Sequence, residues 1–187
     1  GVLTAPGHIE AWRAYREAGW LGLDQPPGRG GQGLPQLVLA ACQEIFDRGS
    51  VAFGMLATAQ RGAARLIEAH ADEATKAEWL EKLVSGEWAA TICISEPDAG
   101  SDVGRIRTLA RPDGAGGWRV TGEKIWISYG DHALAPRIGH CLLARTPDAP
   151  PGGAGLSLFL VPDGFPGTGV RNGVAVRRLE DKLGLHG

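Results

Sequence analysis

The hydrophobic pattern of this chain changes period once, near Gly86, and that change rules out a fold built from one kind of element. Up to that point apolar residues recur at helical spacing. Ile9, Trp12 and Tyr15 fall three apart within residues 8–18, and Gly19 is placed to cap the C-terminus. Leu34, Leu37, Val38, Ala41, Cys42, Ile45 and Phe46 make a second stripe that runs out at Gly49. Ser50 has the side chain to cap a third helix, whose first apolar residues (Val51, Phe53, Met55, Leu56) cover nearly every side and so predict burial. A fourth helix, over residues 73–84, carries Trp79, Leu80, Leu83 and Val84 and stops at Ser85-Gly86.

From Trp88 onward apolar residues alternate or come in short runs. The predicted strands are 88–94, 103–111, 117–121, 124–128, 138–145, 155–161 and 170–179, parted by stretches such as Pro112-Asp113-Gly114 and Pro162-Asp163-Gly164. Many short strands without helices between them predict a barrel or a sandwich. The expected fold class is therefore α+β and multidomain, with a helical domain over residues 1–86 and a β domain over 87–187.

With 43% hydrophobic and 21% charged residues, the 187-residue chain can bury a real core. A net charge of -2 gives no electrostatic footprint for nucleic acid or an anionic membrane. No apolar stretch approaches the roughly 20 residues of a membrane span, and the N-terminus lacks a secretory pattern. Cys42, Cys93 and Cys141 are odd in number and scattered, which predicts reduced, buried thiols and a cytoplasmic location. The five histidines show no metal-ligand spacing, so no metal site is expected.

Gly28-Arg29-Gly30-Gly31-Gln32-Gly33 satisfies GxGxxG, but prolines precede it and no βαβ unit follows, so it reads as a flexible surface loop between helices. The stretch "TICISEPDAGSD", residues 91–102, carries more. Thr91 to Ile94 reads as a buried strand that Pro97 ends, with Glu96 biased to extended geometry and Gly100 permitting a reversal. The loop offers free amides and the Ser101 hydroxyl to an anionic or carbonyl-rich ligand. A second stretch, Thr121 to Ser128, adds Trp126 as an aromatic wall and Ser128 as a donor for a flat heterocycle. Glu96 reads as structural, accepting backbone N–H groups of its turn, rather than as an acid–base catalyst.

In order and spacing, "ICISEPDAGSD", "WRVTGEKIWIS", "LLARTPDAPPGGAGLSLFLVP" and "LEDKLGLHG", behind "GWLGLDQPPGRGGQG", resemble the acyl-CoA dehydrogenase family. The resemblance implies an α-helical N-terminal domain, here shortened, an antiparallel β-barrel middle domain and a C-terminal four-helix domain that is missing. It implies FAD as cofactor. Ile92, Cys93, Ile94, Ser95, Gly100 and Ser101 match the stretch lying along the flavin, and Trp126, Ile127 and Ser128 match the segment packed near its N5. Ser101 also matches a position touching the acyl-CoA. The family usually has Thr at Ser95 and Ser128, and often an aromatic or Met at Ile92; the hydroxyls are kept. "ISYGDHAL" and "PDAPPGGAGLSLFLVP" resemble a long subgroup that includes the methylthiopropionyl-CoA dehydrogenases.

The implied reaction is α,β-dehydrogenation of an acyl-CoA thioester, in the setting of fatty acid metabolism, with an electron-transferring flavoprotein as acceptor and a homo-oligomer as the full-length assembly. No catalytic residue is expected within these residues. The family's carboxylate base belongs to the C-terminal helical domain, beyond Gly187, so residues 1–187 alone are expected to be inactive and to expose an apolar face. Two alternatives stay open: a flavin oxidase or monooxygenase of the same fold, and a truncated, non-catalytic binding module.

Overall fold

The computed structural model describes residues 2–165 and 168–185. Among the described residues three α-helices come first: α1 (His8–Glu17), α2 (Gln36–His70) and α3 (Glu73–Val84). Five strands follow: β1 (Ala89–Cys93), β2 (Leu109–Pro112), β3 (Trp118–Thr121), β4 (Ile138–Arg145) and β5 (Leu156–Pro162).

Two of the helix ends have a local cause. Gly19 takes a left-handed φ of 76° just past α1, where its amide bonds to the Arg16 carbonyl. Asp72 caps α3 by accepting the Thr75 amide at 2.7 Å. The second and third predicted helices join into α2 across a kink at Ser50 (φ −161°, ψ 101°), whose hydroxyl accepts the Phe53 amide at 3.3 Å. Of the residues after that kink, Phe53 and Leu56 are buried, whereas Val51 is 46% exposed.

The sheet is mixed. β4 lies at its centre, with β5 antiparallel on one edge and β1, then β2, parallel on the other; β3 pairs antiparallel with β2. The antiparallel barrel expected from the sequence is thus corrected to a mixed five-stranded sheet. The physical reason is the long crossover from β1 to β4, which lets the two strands run the same way. Along their pairing both strands are buried on both faces save for the partly buried Ile92, and the polar pair this encloses, Thr91 and His140, meets at 2.9 Å.

Three other strand expectations are also corrected. Residues 124–128 form a loop, because Trp126 sits at φ 61°, which no strand accommodates. Residues 103–111 begin as a 3-10 turn at Val103–Arg105 and become strand only at Leu109, because Arg145 takes the Gly104 and Ile106 carbonyls. Residues 170–179 are irregular apart from a bridge between Gly164 and Arg171. His186 and Gly187, the end of the fourth motif, lie outside the described residues.

One face of the sheet packs on the helices through Ala63, Ile67, Trp79, Leu80, Leu83, Ala90 and Cys141. The other carries Cys93, Ala110, Leu142 and Ala144, with Ile127 and Phe159 against them. Buried Gln60 joins helix to sheet by donating to the Leu83 and Trp88 carbonyls at 2.7 and 3.0 Å. Arg137 lies against both the Trp79 and Trp88 rings, 4.6 and 4.4 Å from their centroids, and pairs with Glu78. The GxGxxG loop is ordered rather than loose: Gln32, Gly33 and Leu34 donate to the Gly22, Gln25 and Leu23 carbonyls.

Candidate functional site

β1 ends at Cys93, and the chain turns at once. Glu96 and Ala99 exchange backbone hydrogen bonds of 2.9 and 3.0 Å around Pro97 and Asp98. Proline's fixed φ makes this reversal. Gly100 contributes no left-handed geometry, and a Cβ there would meet open space, so the turn does not depend on the glycine expected to permit it.

The first expected site stretch divides by face. Ile92 points toward the helices, where a Cβ on Gly62 would lie 2.9 Å from its Cδ1. Cys93 is buried on the opposite face, beside Thr91 and His140, and burial pushes its thiol pKa up. Ile94 is 36% exposed, and Gly100 and Ser101 are on the surface.

The second stretch comes against the first. The Ile125 amide donates to the Ser95 carbonyl at 2.9 Å, and Lys124 Nζ donates to the Ile94 carbonyl at 3.0 Å. Trp126 then stands 57% exposed beside this junction, while Ile127 turns into the sheet core. Four residues of the expected site (Ser95, Trp126, Ile127, Ser128) thus belong to one joined pair of loops, whereas Gly100 and Ser101 lie past the 96–99 turn.

Glu96 is 8% exposed, and its carboxylate accepts the Arg107 amide at 2.7 Å, the Thr108 amide at 3.0 Å, the Thr108 hydroxyl and Lys124 Nζ at 2.9 Å. Burial pushes its pKa up, but the Arg107 amide and the Thr108 and Lys124 groups outweigh that and hold it below the usual carboxylate value. These donors belong to the approach to β2 and to Lys124, not to its own turn. Oε1 takes three of these donors and Oε2 the Arg107 amide, and the residue is 8% exposed, so the carboxylate is spent on the protein's own groups rather than presented to a ligand.

Sequence reasoning missed Lys124 and Tyr129. Tyr129, at φ 56°, donates to the Ala52 carbonyl at 2.7 Å and ties the Trp126 loop to the helices. The available signal was the polar Lys124 between Glu123 and Ile125, and an aromatic followed by Gly130.

The donor set left over suits a flat, hydrogen-bonding heterocycle. Among the described residues, the amides of Trp126, Ile127 and Ser128 and the hydroxyls of Ser95, Ser101 and Ser128 bond to no other protein group. Ser95 and Ser128 are only partly exposed, and Trp126 is 57% exposed. By contrast, no group of three or more His, Cys, Asp or Glu among the described residues could hold a metal ion.

An acyl-CoA dehydrogenase N-terminal domain model matches residues 4–87, and an acyl-CoA dehydrogenase middle domain model matches residues 91–187. The chain belongs to the acyl-CoA dehydrogenase family. It is 40% identical to 3-methylmercaptopropionyl-CoA dehydrogenase of Ruegeria pomeroyi over 98% of its own length and 32% of that protein's. An acyl-CoA dehydrogenase complexed with FAD from Bacillus anthracis shares the fold with a TM-score of 0.79 and 29% identity, over 96% of this chain and 29% of that one. A chain in the structure of the electron transferring flavoprotein of Acidaminococcus fermentans does so with a TM-score of 0.81 and 26% identity, over 95% of this chain and 44% of that one. This chain thus spans about a third of the length of the curated relatives it matches.

Proposed function

We propose that residues 1–187 form the N-terminal and middle part of an FAD-dependent acyl-CoA dehydrogenase, with the division between the two near Gly86. The observation that carries this reading is the junction of the Ser95 loop with the Trp126 loop, which brings an exposed tryptophan together with hydroxyls and amides that bond to no other described group. Ile92, Cys93, Ile94, Ser95, Gly100, Ser101, Trp126, Ile127 and Ser128 would hold the FAD, with Ser101 also meeting the acyl-CoA. Ile92 and Cys93 serve this through their backbone, because their side chains are turned into the two cores.

FAD supplies, when bound, a hydride acceptor for the β-carbon of the thioester. The chain's own contribution is orientation and exclusion of water. The amides of Trp126 to Ser128 and the hydroxyls of Ser95 and Ser128 would donate hydrogen bonds to the flavin ring, and Trp126 would shield it from bulk solvent. Glu96 is committed to four donors and takes no proton from the substrate. On the family reading, the proton acceptor belongs to the part of the full-length protein that these residues do not span.

No helix among the described residues is long and apolar enough to cross a membrane. Leu37 and Ile45, 80% and 71% exposed on α2, support a further packing partner for this face, in a homo-oligomer or within the full-length chain. The support for an electron-transferring flavoprotein as acceptor is family membership and the Acidaminococcus fermentans neighbour.

The test is turnover. Full-length protein, FAD and a series of acyl-CoA thioesters with a dye acceptor should give a product lighter by two hydrogens, seen by mass spectrometry. Absence of that product across short, branched and long acyl chains would overturn the reading.

A further inference from the structure

The Glu96–Lys124 pair does more than the sheet requires. Lys124 is 12% exposed in its side chain and Glu96 7%, and the two meet at 2.9 Å. Through this contact three segments converge. Ile94 to Glu96 leaves β1, Arg107-Thr108 leads into β2, and Lys124-Ile125 leads to the exposed Trp126.

The backbone beyond Ile125 is strained. Trp126 and Tyr129, three residues apart, both hold positive φ (61° and 56°) without being glycine. Such residues persist only where their surroundings over-determine them, and they gather at binding sites. Here the segment is fixed at both ends. Lys124 and Ile125 anchor the head to Glu96, Ile94 and Ser95, and the Tyr129 hydroxyl anchors the tail to Ala52. Between the anchors lie the unspent amides of Trp126, Ile127 and Ser128.

We propose that Glu96 and Lys124 are positioning residues for the flavin: their buried ion pair fixes the left-handed Trp126 and so aligns the Trp126–Ser128 amides with the ring before it binds. The proposal rests on the FAD reading above. Neither side chain touches the cofactor; each acts through the backbone of the Trp126 loop. A purely structural pair would stabilise the sheet and leave the bound flavin's environment unchanged.

The experiment compares full-length wild type with Lys124→Met, Glu96→Gln and the double variant, with Lys82→Met as control for a surface ion pair. FAD affinity is measured by titration, and visible circular dichroism of the flavin at saturating FAD reports its surroundings. The expected result is FAD affinity weaker by about tenfold or more in each single variant, equivalent to ~1.4 kcal/mol. The dichroism band should be reshaped, the double variant should lose no more than the weaker single one, and the control should match wild type. In Lys124→Met the Arg107 and Thr108 donors still satisfy Glu96. Lys124→Gln, which keeps a donor toward the Ile94 carbonyl, takes its place if the methionine variant does not fold. Wild-type affinity and dichroism in the folded variants would overturn the proposal. Wild type that takes up no FAD would overturn the underlying reading, and the proposal with it, which is a distinct result.

Discussion

The Tyr129 hydroxyl donates a 2.7 Å hydrogen bond to the Ala52 carbonyl, joining the Trp126 loop to α2 two residues past its kink, across 77 positions of sequence. Burial pushes the Tyr129 pKa up, so the proton stays on the oxygen. Tyr129→Phe removes one neutral hydrogen bond and keeps the ring, which should cost about 1 kcal/mol and lower Tm by about 2–4 °C. Thermal denaturation of both proteins checks this; an unchanged Tm would mean the bond does not anchor the loop.

His132 gives the fold an acid-sensitive point. Burial pushes its pKa down to about 4, with His140 acting in the same direction against Asp131 and Asp163. The unfolded chain therefore holds the extra proton between the usual value near 6.5 and the folded value. The stabilisation is complete above that window and is lost as pH falls through it, at up to about 1.4 kcal/mol per pH unit. His132→Asn keeps an acceptor for the Leu134 amide, which His132 Nδ1 receives at 3.1 Å. Urea titrations at pH 7, 6 and 5 should show a shallower loss in the variant. Parallel losses would mean that His132 does not titrate in the fold.

Two glycines that look alike in sequence should behave oppositely. A Cβ on Gly31 would lie 2.1 Å from the Gln25 carbonyl oxygen, whereas one on Gly100 would meet nothing within 4 Å. Gly31→Ala should destabilise by about 1–3 kcal/mol through forced backbone movement, and Gly100→Ala should stay within about 0.5 kcal/mol. Equal effects in denaturant titrations would contradict the placement of both loops.

The helix-to-strand change near Gly86 was legible because periods of 3.6 and 2 are written locally, and so was the break at Gly49-Ser50, where the serine caps the next turn. The strand expected at 124–128 failed for a physical reason. Ile125 and Ile127 alternate with polar or exposed neighbours as a strand would, but the backbone turns left-handed at Trp126, next to a Lys124 that bonds to a carbonyl 30 positions away. Parallel pairing of Ala89–Cys93 with Ile138–Leu142 was equally hidden, because periodicity tells which residues are buried and not which strand lies beside them. Of the candidate site, the turn after Ile94 and the structural character of Glu96 were readable from the motif, whereas the Trp126 segment was read as a strand. The four donors to Glu96 were not readable, since Arg107, Thr108 and Lys124 reach it only through the tertiary fold.

The central claim is that these two loops hold a flavin which an acyl-CoA reduces. Anaerobic titration of the FAD-loaded, full-length protein with acyl-CoA thioesters tests it most directly, read at the flavin's visible absorption band. The account predicts bleaching of that band by at least one member of the series, with the Lys124→Met protein needing more FAD to reach the same starting absorbance. A fully loaded flavin that no acyl-CoA bleaches would contradict it.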